Sequence, residues 1–484
     1  MTISSSLMNA YSGLSAAART AEAISQNIAN ALTQGYGRRV VELRSAAING
    51  QGAGVRVAAV YRNVDAALIA SRQQAEAHSD GAATRATAFA RIEATIGTPG
   101  ESGSLNDLIV RFETSLTSAA SRPDLLVRQQ NILFAARDLV AHVNGMSSDA
   151  QTMRMQADHE IADKVGFLND GLAGIAQLNR DIGIQIGSGR DANGLLDQRQ
   201  VLVDQIAGIV PLRTYSRDNG QIALVSTGGA VLLDGSAAVF EFTSAGKITA
   251  DMTQASGALS GLSMNGQPVR IGDNGLLEGG SLAALFEVRD TIAPMASAQA
   301  DAFARDLVER FQASGVDPTV AIGAAGLFTD DGAAFDSLNE IGLAGRLMLS
   351  AAVDPAAGGD LSRFRDGLAA VIPGNLGDSA LLTRMAAALS QKRSPVSGTF
   401  STAQVSTSDL AGALASLNSS ARIDAEQNQA FATGRLQEFR VAELATGVDT
   451  DQELQHLLLI EKAYAANAKV ISTADEMLTT LLGI

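Results

Sequence analysis

The side chains most often used for metal binding and nucleophilic catalysis are scarce in this sequence. Its 484 residues include no cysteine and four widely separated histidines, His78, His142, His159 and His456. Thiolate chemistry is therefore excluded, and no two histidines have the spacing of a zinc or iron site. His159 precedes Glu160, but position 163 is aspartate, so the HExxH motif is absent. The sequence predicts no metal and no cofactor.

A glycine-rich pattern at Gly50, Gly52 and Gly54 could suggest a phosphate-binding loop. In nucleotide-binding folds such a loop leads into a helix, whose N-terminal N–H groups bind the phosphate. Here it leads into residues 55–60, which are typical of a strand. No GxSxG or Walker motif is present, and we expect isolated Ser, Asp and Glu side chains to be structural. The sequence indicates a protein that is not an enzyme.

Composition and charge restrict the possible partners. Hydrophobic residues make up 46% of the chain but aromatic residues only 4%, so helices are expected to pack through small side chains. The formal net charge of −15 is unfavourable for binding nucleic acid or an anionic membrane. No stretch reaches the ~18 apolar residues of a membrane span, and the N-terminus lacks a signal-peptide pattern. We expect no membrane insertion and, for an exported protein, no cleaved signal peptide.

Apolar or small residues recur at alternating spacings of four and three at both ends of the chain. The N-terminal set is Leu7, Tyr11, Leu14, Ala18, Ala21, Ser25, Ile28 and Leu32. The C-terminal set is Leu457, Ile460, Tyr464, Asn467, Ile471, Ala474, Leu478 and Leu481. Such heptad stripes are typical of coiled-coil helices, although an ordinary bundle helix shows the same pattern. We expect the two stripes to pair with each other and then with neighbouring subunits.

Asn467 is the polar member of the C-terminal stripe. A single buried asparagine commonly fixes the register of a coiled coil, which is one interpretation of this position. The alternative is that Asn467 faces solvent at the edge of the helix. The pattern alone leaves both interpretations open.

The middle of the chain is predicted to be mainly helical with one β region. Residues 65–186 favour helices, with breaks near Gly97 and Pro123 and one helix of about 40 residues. From Gly208 the pattern changes to short strands, and Asp218-Asn219-Gly220 predicts a hairpin turn. Helices return over 281–313 and 406–445, while 320–400 is mixed, and Asp449 or Asp451 is expected to cap the last helix.

These patterns predict a mainly α fold with a small all-β insert. The molecule is expected to be elongated, with the terminal helices paired as a coiled coil, a central helical rod domain and an outer β domain. The predicted domains are 1–50 with 447–484 for the terminal coiled coil, 51–207 with 281–446 for the rod, and 208–280 for the β domain.

Two terminal motifs resemble the bacterial flagellar axial proteins. Residues 27–30, Asn-Ile-Ala-Asn, and residues 33–36, Thr-Gln-Gly-Tyr, resemble the signature NIANxxTPGY of that family. Residues 463–478 are similar to the family's C-terminal signature. Gln34 stands where the family has proline, which loosens the predicted turn after the first helix.

Blocks in the middle are similar to the hook-associated protein 1 family in particular. They are Leu178-Asn179, residues 193–199 with the sequence NGLLDQR, residues 280–285 followed by Arg289-Asp290, and residues 447–453 with the sequence GVDTDQE. Gly194 and Gln200 depart from the family pattern, which often has aspartate at both places. The similarity runs from Ser4 to Leu482 and is weakest over 320–400.

The resemblance implies a structural protein of the flagellum without enzymatic activity. It implies export without cleavage, assembly at the hook tip as the hook–filament junction, and self-association in a helical array. The expected partners are the hook protein, hook-associated protein 3, and a cytosolic export chaperone on the C-terminal helix. The expected contact residues are Leu7, Tyr11, Leu14, Ile28, Leu32, Leu457, Ile460, Tyr464, Asn467, Ile471, Leu478 and Leu481.

Three other classes of protein are less consistent with the sequence. Hook and distal rod proteins share the terminal motifs but lack the NGLLDQR-like block and the long helices of residues 65–187. A flagellar peptidoglycan hydrolase would require paired catalytic carboxylates or a nucleophile with a base. A soluble coiled-coil adaptor would have heptads without the β insert.

Overall fold

The computed structural model describes residues 3–48, 51–272, 274–398, 400 and 403–483. The chain begins and ends with long helices, α1 (Ile3–Ala29) and α12 (Thr450–Leu482). These two helices pack along each other, and α1 also contacts the antiparallel hairpin of β1 (Arg38–Ile48) and β2 (Gln51–Asn63). Both chain termini therefore belong to one module, which we call the terminal module.

A helical rod extends from the terminal module. Its helices are α2 (Ala66–Ile96), α3 (Leu105–Ser121), α4 (Leu126–Gly187), α5 (Asn193–Ala207) and, after an excursion of the chain, α11 (Thr407–Thr446). The 62 residues of α4 span about 93 Å at the helical rise, which makes the rod elongated. Helices α2 and α11 pack along each other, and α3 and α5 pack on α4.

Side-chain caps fix where several of these helices begin. Asp65 accepts hydrogen bonds from the N–H groups of Ala67 and Leu68, both at 3.0 Å, at the start of α2. Ser406 forms a capping box at the start of α11, and Asp449 caps α12. These caps satisfy N–H groups that have no partner inside the helix. The predicted breaks near Gly97 and Pro123 and the cap at Asp449 are confirmed.

A small β region lies between α5 and the next helix. One sheet has the order β3 (Leu212–Ser216), β4 (Ile222–Ser226), β5 (Val231–Asp234) and β6 (Ser236–Ala237). The other consists of β7 (Phe240–Glu241), β8 (Ser263–Met264) and β9 (Gln267–Pro268). The predicted hairpin joins β3 to β4, and Asn219 there has a φ of 54°, which asparagine tolerates better than most residues. This region is the predicted all-β insert.

A buried ion pair attaches the β region to the rod. The chain leaves the β region through α6 (Gly280–Glu287), a π-helical turn (Val288–Ile292) and α7 (Ala293–Gln312). The π turn places Arg289 2.7 Å from Asp158 of α4, and both side chains are 0% exposed. Arg289 also donates to the carbonyl of Ser260, while Asp158 accepts from the N–H of Ala245. The loops of the β region are thus held directly on α4.

The mixed region after α7 consists of short elements. They are β10 (Phe328–Asp330), α8 (Leu343–Arg346), β11 (Leu347–Leu349), α9 (Arg363–Asp366) and α10 (Ala380–Ser390). The rings of Phe112, Phe311 and Phe328 contact one another with centroids 5.0 to 6.0 Å apart. This aromatic cluster joins α3, α7 and β10, and it anchors the mixed region in the hydrophobic core.

The fold class is confirmed: the protein is mainly α-helical, elongated, with paired terminal helices and small antiparallel sheets. One local expectation was wrong, since the long central helix has 62 residues rather than about 40. The domain division stays a prediction, and its first boundary, at residue 50, lies outside the described residues.

Candidate assembly interface

Helices α1 and α12 form a tight antiparallel pair. A Cβ atom placed on Gly13 of α1 would lie 2.8 Å from the side-chain amide of Asn467 on α12. At the other end, Arg38 donates to Glu453 at 2.7 Å, and the Glu453 side chain is 1% exposed. From Gly13 to Arg38 the residue number rises, whereas from Asn467 to Glu453 it falls, so the two segments are antiparallel. Close approach is possible because α1 presents glycine and small residues at this face.

The buried face of α1 differs from the predicted stripe. Its buried residues are Ala10, Ala16, Ala17, Thr20, Ala23, Ile24 and Asn27. Leu7, Leu14 and Ile28 are half-buried, whereas Tyr11 is 72% exposed and Leu32 is 95% exposed. Tyr11 and Leu32 are therefore not buried against α12 within one chain, and their role in subunit contacts stays a prediction. Small side chains allow α1 to approach its neighbours closely, and Leu32 lies beyond the end of the helix.

The predicted stripe of α12 corresponds better to the face that meets α1. Its half-buried members are Leu457, Ile460, Asn467, Ile471 and Leu478, and Ala474 is buried. Tyr464 and Leu481 remain mainly exposed at 45% and 61%. Asn467 lies against Gly13, and its Nδ2 donates to the carbonyl of Ala463 in its own helix at 2.9 Å.

A second heptad-spaced stripe on α12 is exposed. Its members are Leu459, Ala463, Ala466, Val470 and Met477, none of them buried. At 100° per residue these positions share one side of the helix, roughly a quarter of a turn away from the face that meets α1. We call this set the outer stripe. A helix that is apolar on two faces is typical of one that packs against more than one neighbour.

The contact between Gly13 and Asn467 leads to a measurable coupling. Gly13→Ala improves the helix propensity by about 1 kcal/mol but forces the new methyl group against Asn467. We therefore expect Gly13→Ala to stabilise α1 only when combined with Asn467→Ala, with a coupling of about 1 kcal/mol. Amide hydrogen exchange of α1 measures this local stability.

Gly434→Ala is the matched control, since a Cβ at Gly434 in α11 meets no atom within 4 Å. It should be equally stabilising with or without Asn467→Ala. If Gly13→Ala on its own stabilises its helix as much as Gly434→Ala does, the proposed tight contact at Asn467 is wrong.

Asn27 connects α1 to the hairpin that follows it. Its Nδ2 donates to the carbonyl of Arg39 at 3.0 Å, and its Oδ1 accepts from the Arg39 N–H at 2.7 Å. The same Oδ1 accepts from the Tyr36 hydroxyl at 2.9 Å. The Arg39 guanidinium lies 4.9 Å from the centre of the Tyr36 ring. Burial raises the pKa of Tyr36, so its hydroxyl stays protonated and remains a donor.

Asp197 of α5 connects this hairpin to the rod. Its carboxylate accepts hydrogen bonds from Arg62 at 2.9 Å, from the Gly37 N–H at 3.1 Å, and from Arg39. A Cβ at Gly37 would lie 2.2 Å from Arg62, and one at Gly35 would lie 2.5 Å from Val201 of α5. Gly35 thus allows the chain to approach α5 closely, and Gly37 leaves room for the Arg62 side chain that binds Asp197. We call Asn27, Tyr36, Arg39, Arg62 and Asp197 the joint.

A second polar cluster attaches the β region to α4 and α5. Arg199 donates to the Asn179 side chain at 2.9 Å and to the carbonyl of Gly220 at 2.7 Å. Asn179 in turn donates to the carbonyl of Ile222 and accepts from its N–H. Burial lowers the pKa of Arg199 to about 10, with a further contribution from Arg62 nearby, so Arg199 remains charged at neutral pH.

Sequence reasoning missed the outer stripe and the joint. The spacing of Leu459, Ala463, Ala466 and Val470 is a detectable signal in the sequence. In the sequence analysis, only the stripe that begins at Leu457 is assigned to α12. Asp197 lies in the NGLLDQR block, which resembles a block of the hook-associated protein 1 family but suggested no structural role for its residues. Its contact with Arg39 joins positions 158 residues apart, which no local pattern reveals.

Among residues 3–48, 51–272, 274–398, 400 and 403–483, no group of three or more His, Asp or Glu side chains could hold a metal ion. Nor is any helix in those ranges both long and apolar enough to cross a bilayer.

Two models of flagellar protein families match separate parts of the chain. Residues 89–325 match the flagellar hook-associated protein FlgK helical domain, and residues 444–484 match the C-terminal region of the flagellar basal body rod FlgEFG proteins. Flagellar hook-associated protein 1 of Salmonella typhimurium is 30% identical over 327 residues, which cover 64% of this chain and 58% of that protein. The Escherichia coli K12 protein of the same name is 28% identical over 243 residues, covering 49% and 44%.

A solved structure gives a more distant match. The flagellar hook junction protein FlgK from Burkholderia pseudomallei aligns over 55% of this chain and 46% of its own, with a TM-score of 0.43 and 22% identity. The matched part of the chain spans less than two thirds of the length of each of these relatives. The helical domain that contains α3 to α7 and the C-terminal helix α12 are matched separately. The chain therefore contains a region that matches the FlgK helical domain, and it is similar to flagellar hook-associated protein 1.

Proposed function

We propose that the chain is a structural subunit of the bacterial flagellum that polymerises at the hook tip as the hook–filament junction. The observation that carries this proposal is the outer stripe of α12. Leu459, Val470 and Met477 are exposed although the adjacent face of the same helix already packs on α1. Exposed apolar side chains at heptad spacing become stable when a neighbouring helix covers them. In the proposed array that helix belongs to another copy of the chain.

The remaining contacts of the assembly follow from the same geometry. Tyr11 and Leu32 are exposed on the α1 side of the terminal module and remain candidates for contact with other subunits. The neighbours at the two ends of the junction are the hook protein and hook-associated protein 3. Before export, a cytosolic chaperone covers α12 and prevents aggregation through the outer stripe. The protein functions outside the cell and is exported without cleavage of a signal peptide.

We also propose that the protein is not an enzyme. A cleft of about 1250 Å³ is lined by α2, α6 and the end of the β region. The acidic side chains there have protein partners: Glu287 accepts from Arg85 at 2.6 Å, and Asp290 from Arg289 at 2.8 Å. Glu278 accepts from the backbone of Asn274. Carboxylates engaged in this way are poor candidates for the acid and base of a hydrolase.

A hook or distal rod protein is the second candidate, because the match of residues 444–484 is to rod proteins. The helical-domain match over 89–325 favours the junction protein.

The experiment is electron microscopy of a strain of the source organism in which this gene is deleted. The proposal predicts complete hooks without filaments and filament protein in the medium, both corrected by the full-length gene. Truncated or absent hooks would indicate a rod or hook protein instead. Normal filaments would contradict both assignments.

A further inference from the structure

The polar contacts between the terminal module and the rod converge on one short helix, α5. Asp197 of α5 binds Gly37, Arg39 and Arg62 of the terminal module. One turn earlier, Asn193 donates from Nδ2 to the carbonyl of Val60 at 2.8 Å. The two parts are otherwise linked covalently by short connections, at residues 64–65 and 447–449. The orientation of the terminal module is therefore set at α5.

The Asp197 contacts are largely removed from water. The side chains of Arg39, Arg62 and Asp197 are 7%, 12% and 17% exposed. One carboxylate thus compensates two guanidinium groups in a site of low dielectric constant, where charge-assisted hydrogen bonds are strong and directional. Arg39 and Arg62 both belong to the terminal module, so loss of the carboxylate charge leaves two buried guanidinium groups without their partner on α5 and weakens the link between the two parts.

The contact extends from α5 into α1 through a single residue. Arg39 is held by its main chain, on both its N–H and its carbonyl, to the buried side chain of Asn27. Its side chain is held to Asp197. A rotation of α1 relative to the rod therefore has to break hydrogen bonds at Asn27 or at Asp197. The two ends of Arg39 couple the terminal helix pair to α5 as one rigid connection.

We propose that Asp197 is a positioning residue that fixes the angle between the terminal module and the rod. The second part of the proposal rests on the proposed function: this angle must be fixed for a second copy of the chain to add to the array. A subunit in a helical array makes contacts through both parts at once, so both must be presented in one relative orientation. The effect of Asp197 on assembly is indirect and acts through this orientation.

Spin-label distances on the full chain test the angle directly. Because the chain has no cysteine, Gln205→Cys on α5 and Gln455→Cys on α12 give a unique label pair at two exposed positions. We expect a narrow distance distribution in this parent and a broadened one after Asp197→Asn. Asp234→Asn is the control, since Asp234 forms a two-hydrogen-bond pair with Arg217 that is about half exposed. An unchanged distribution in Asp197→Asn would overturn the proposal.

Arg62→Gln provides a second variant in case Asp197→Asn does not fold. It removes one donor but keeps the pair between Arg39 and Asp197, so we expect a smaller broadening. If Asp197→Asn is unfolded and Arg62→Gln is as narrow as the parent, the proposal is also overturned.

Complementation of the deletion strain separates this proposal from the proposed function. Failure of the unaltered gene to restore filaments contradicts the proposed function. If the unaltered gene restores them, we expect Asp197→Asn to leave most hooks without filaments and Asp234→Asn to restore them fully. Equal restoration by Asp197→Asn contradicts the role of Asp197 alone.

Discussion

Replacing Val470 and Met477 together by aspartate is expected to abolish assembly and to leave the folded monomer nearly unchanged. Both side chains lie on the outer stripe, and they are 44% and 53% exposed. In the monomer the new carboxylates remain hydrated, so each substitution should change the free energy of unfolding by about 0.5 kcal/mol or less. In the array a neighbouring helix would have to bury both charges without partners, which costs several kcal/mol.

The matched control for this variant adds the same two charges to the same helix. Ala465 and Ser472 of α12 are exposed and lie away from both apolar stripes. Ala465→Asp with Ser472→Asp should therefore restore filaments in the deletion strain, whereas Val470→Asp with Met477→Asp should not. Urea unfolding of the purified monomers checks that both variants are folded. Filaments in the outer-stripe variant at normal abundance would exclude this stripe as an assembly surface.

Arg289→Met is expected to produce the largest loss of stability, about 3 to 5 kcal/mol at neutral pH, since it removes one partner of a fully buried ion pair. Asp158 would retain a single described donor, the N–H of Ala245 at 2.6 Å. The hydrogen bond from Arg289 to the carbonyl of Ser260 would also be lost. We therefore expect the substitution to increase amide hydrogen exchange more in the loops of residues 243–262 than in α11. The midpoint of urea unfolding should also be lower.

Arg217→Met is the control for the effect of losing an arginine. Arg217 pairs with Asp234 through two hydrogen bonds, but both side chains are about half exposed, so its loss should leave the free energy of unfolding nearly unchanged. An equal effect of the two substitutions would show that the Arg289 pair does not hold the β region on α4.

Local chemistry made much of the fold predictable from the sequence. Gly97 and Pro123 ended helices, Asp449 capped α12, and Asn219 with Gly220 formed the hairpin turn, each for a reason contained in a few adjacent residues. The length of α4 was underestimated because it contains glycines, such as Gly166, whose low helix propensity is overridden by packing.

The candidate assembly interface was less predictable from the sequence. Its contacts join residues that are distant in sequence, and the faces of its helices differ little in hydrophobicity. In α1, alanine, glycine and serine occupy several faces, so the pattern could not show that Ala10 and Ala17 are buried while Tyr11 is exposed. The pairing of Arg38 with Glu453 spans 415 positions. Such contacts are determined by tertiary packing, which a periodicity argument does not contain.

Cross-linking in isolated flagella tests the central claim, that the outer stripe of α12 is a contact between subunits. Val470→Cys with Met477→Cys places the only cysteines of the chain on the outer stripe, and Ala465→Cys with Ser472→Cys places them on the polar side. With a short bis-maleimide, the account predicts a ladder of dimers and larger products for the first variant and monomer for the second. Monomer alone from the outer-stripe variant, in flagella that carry filaments, would contradict it.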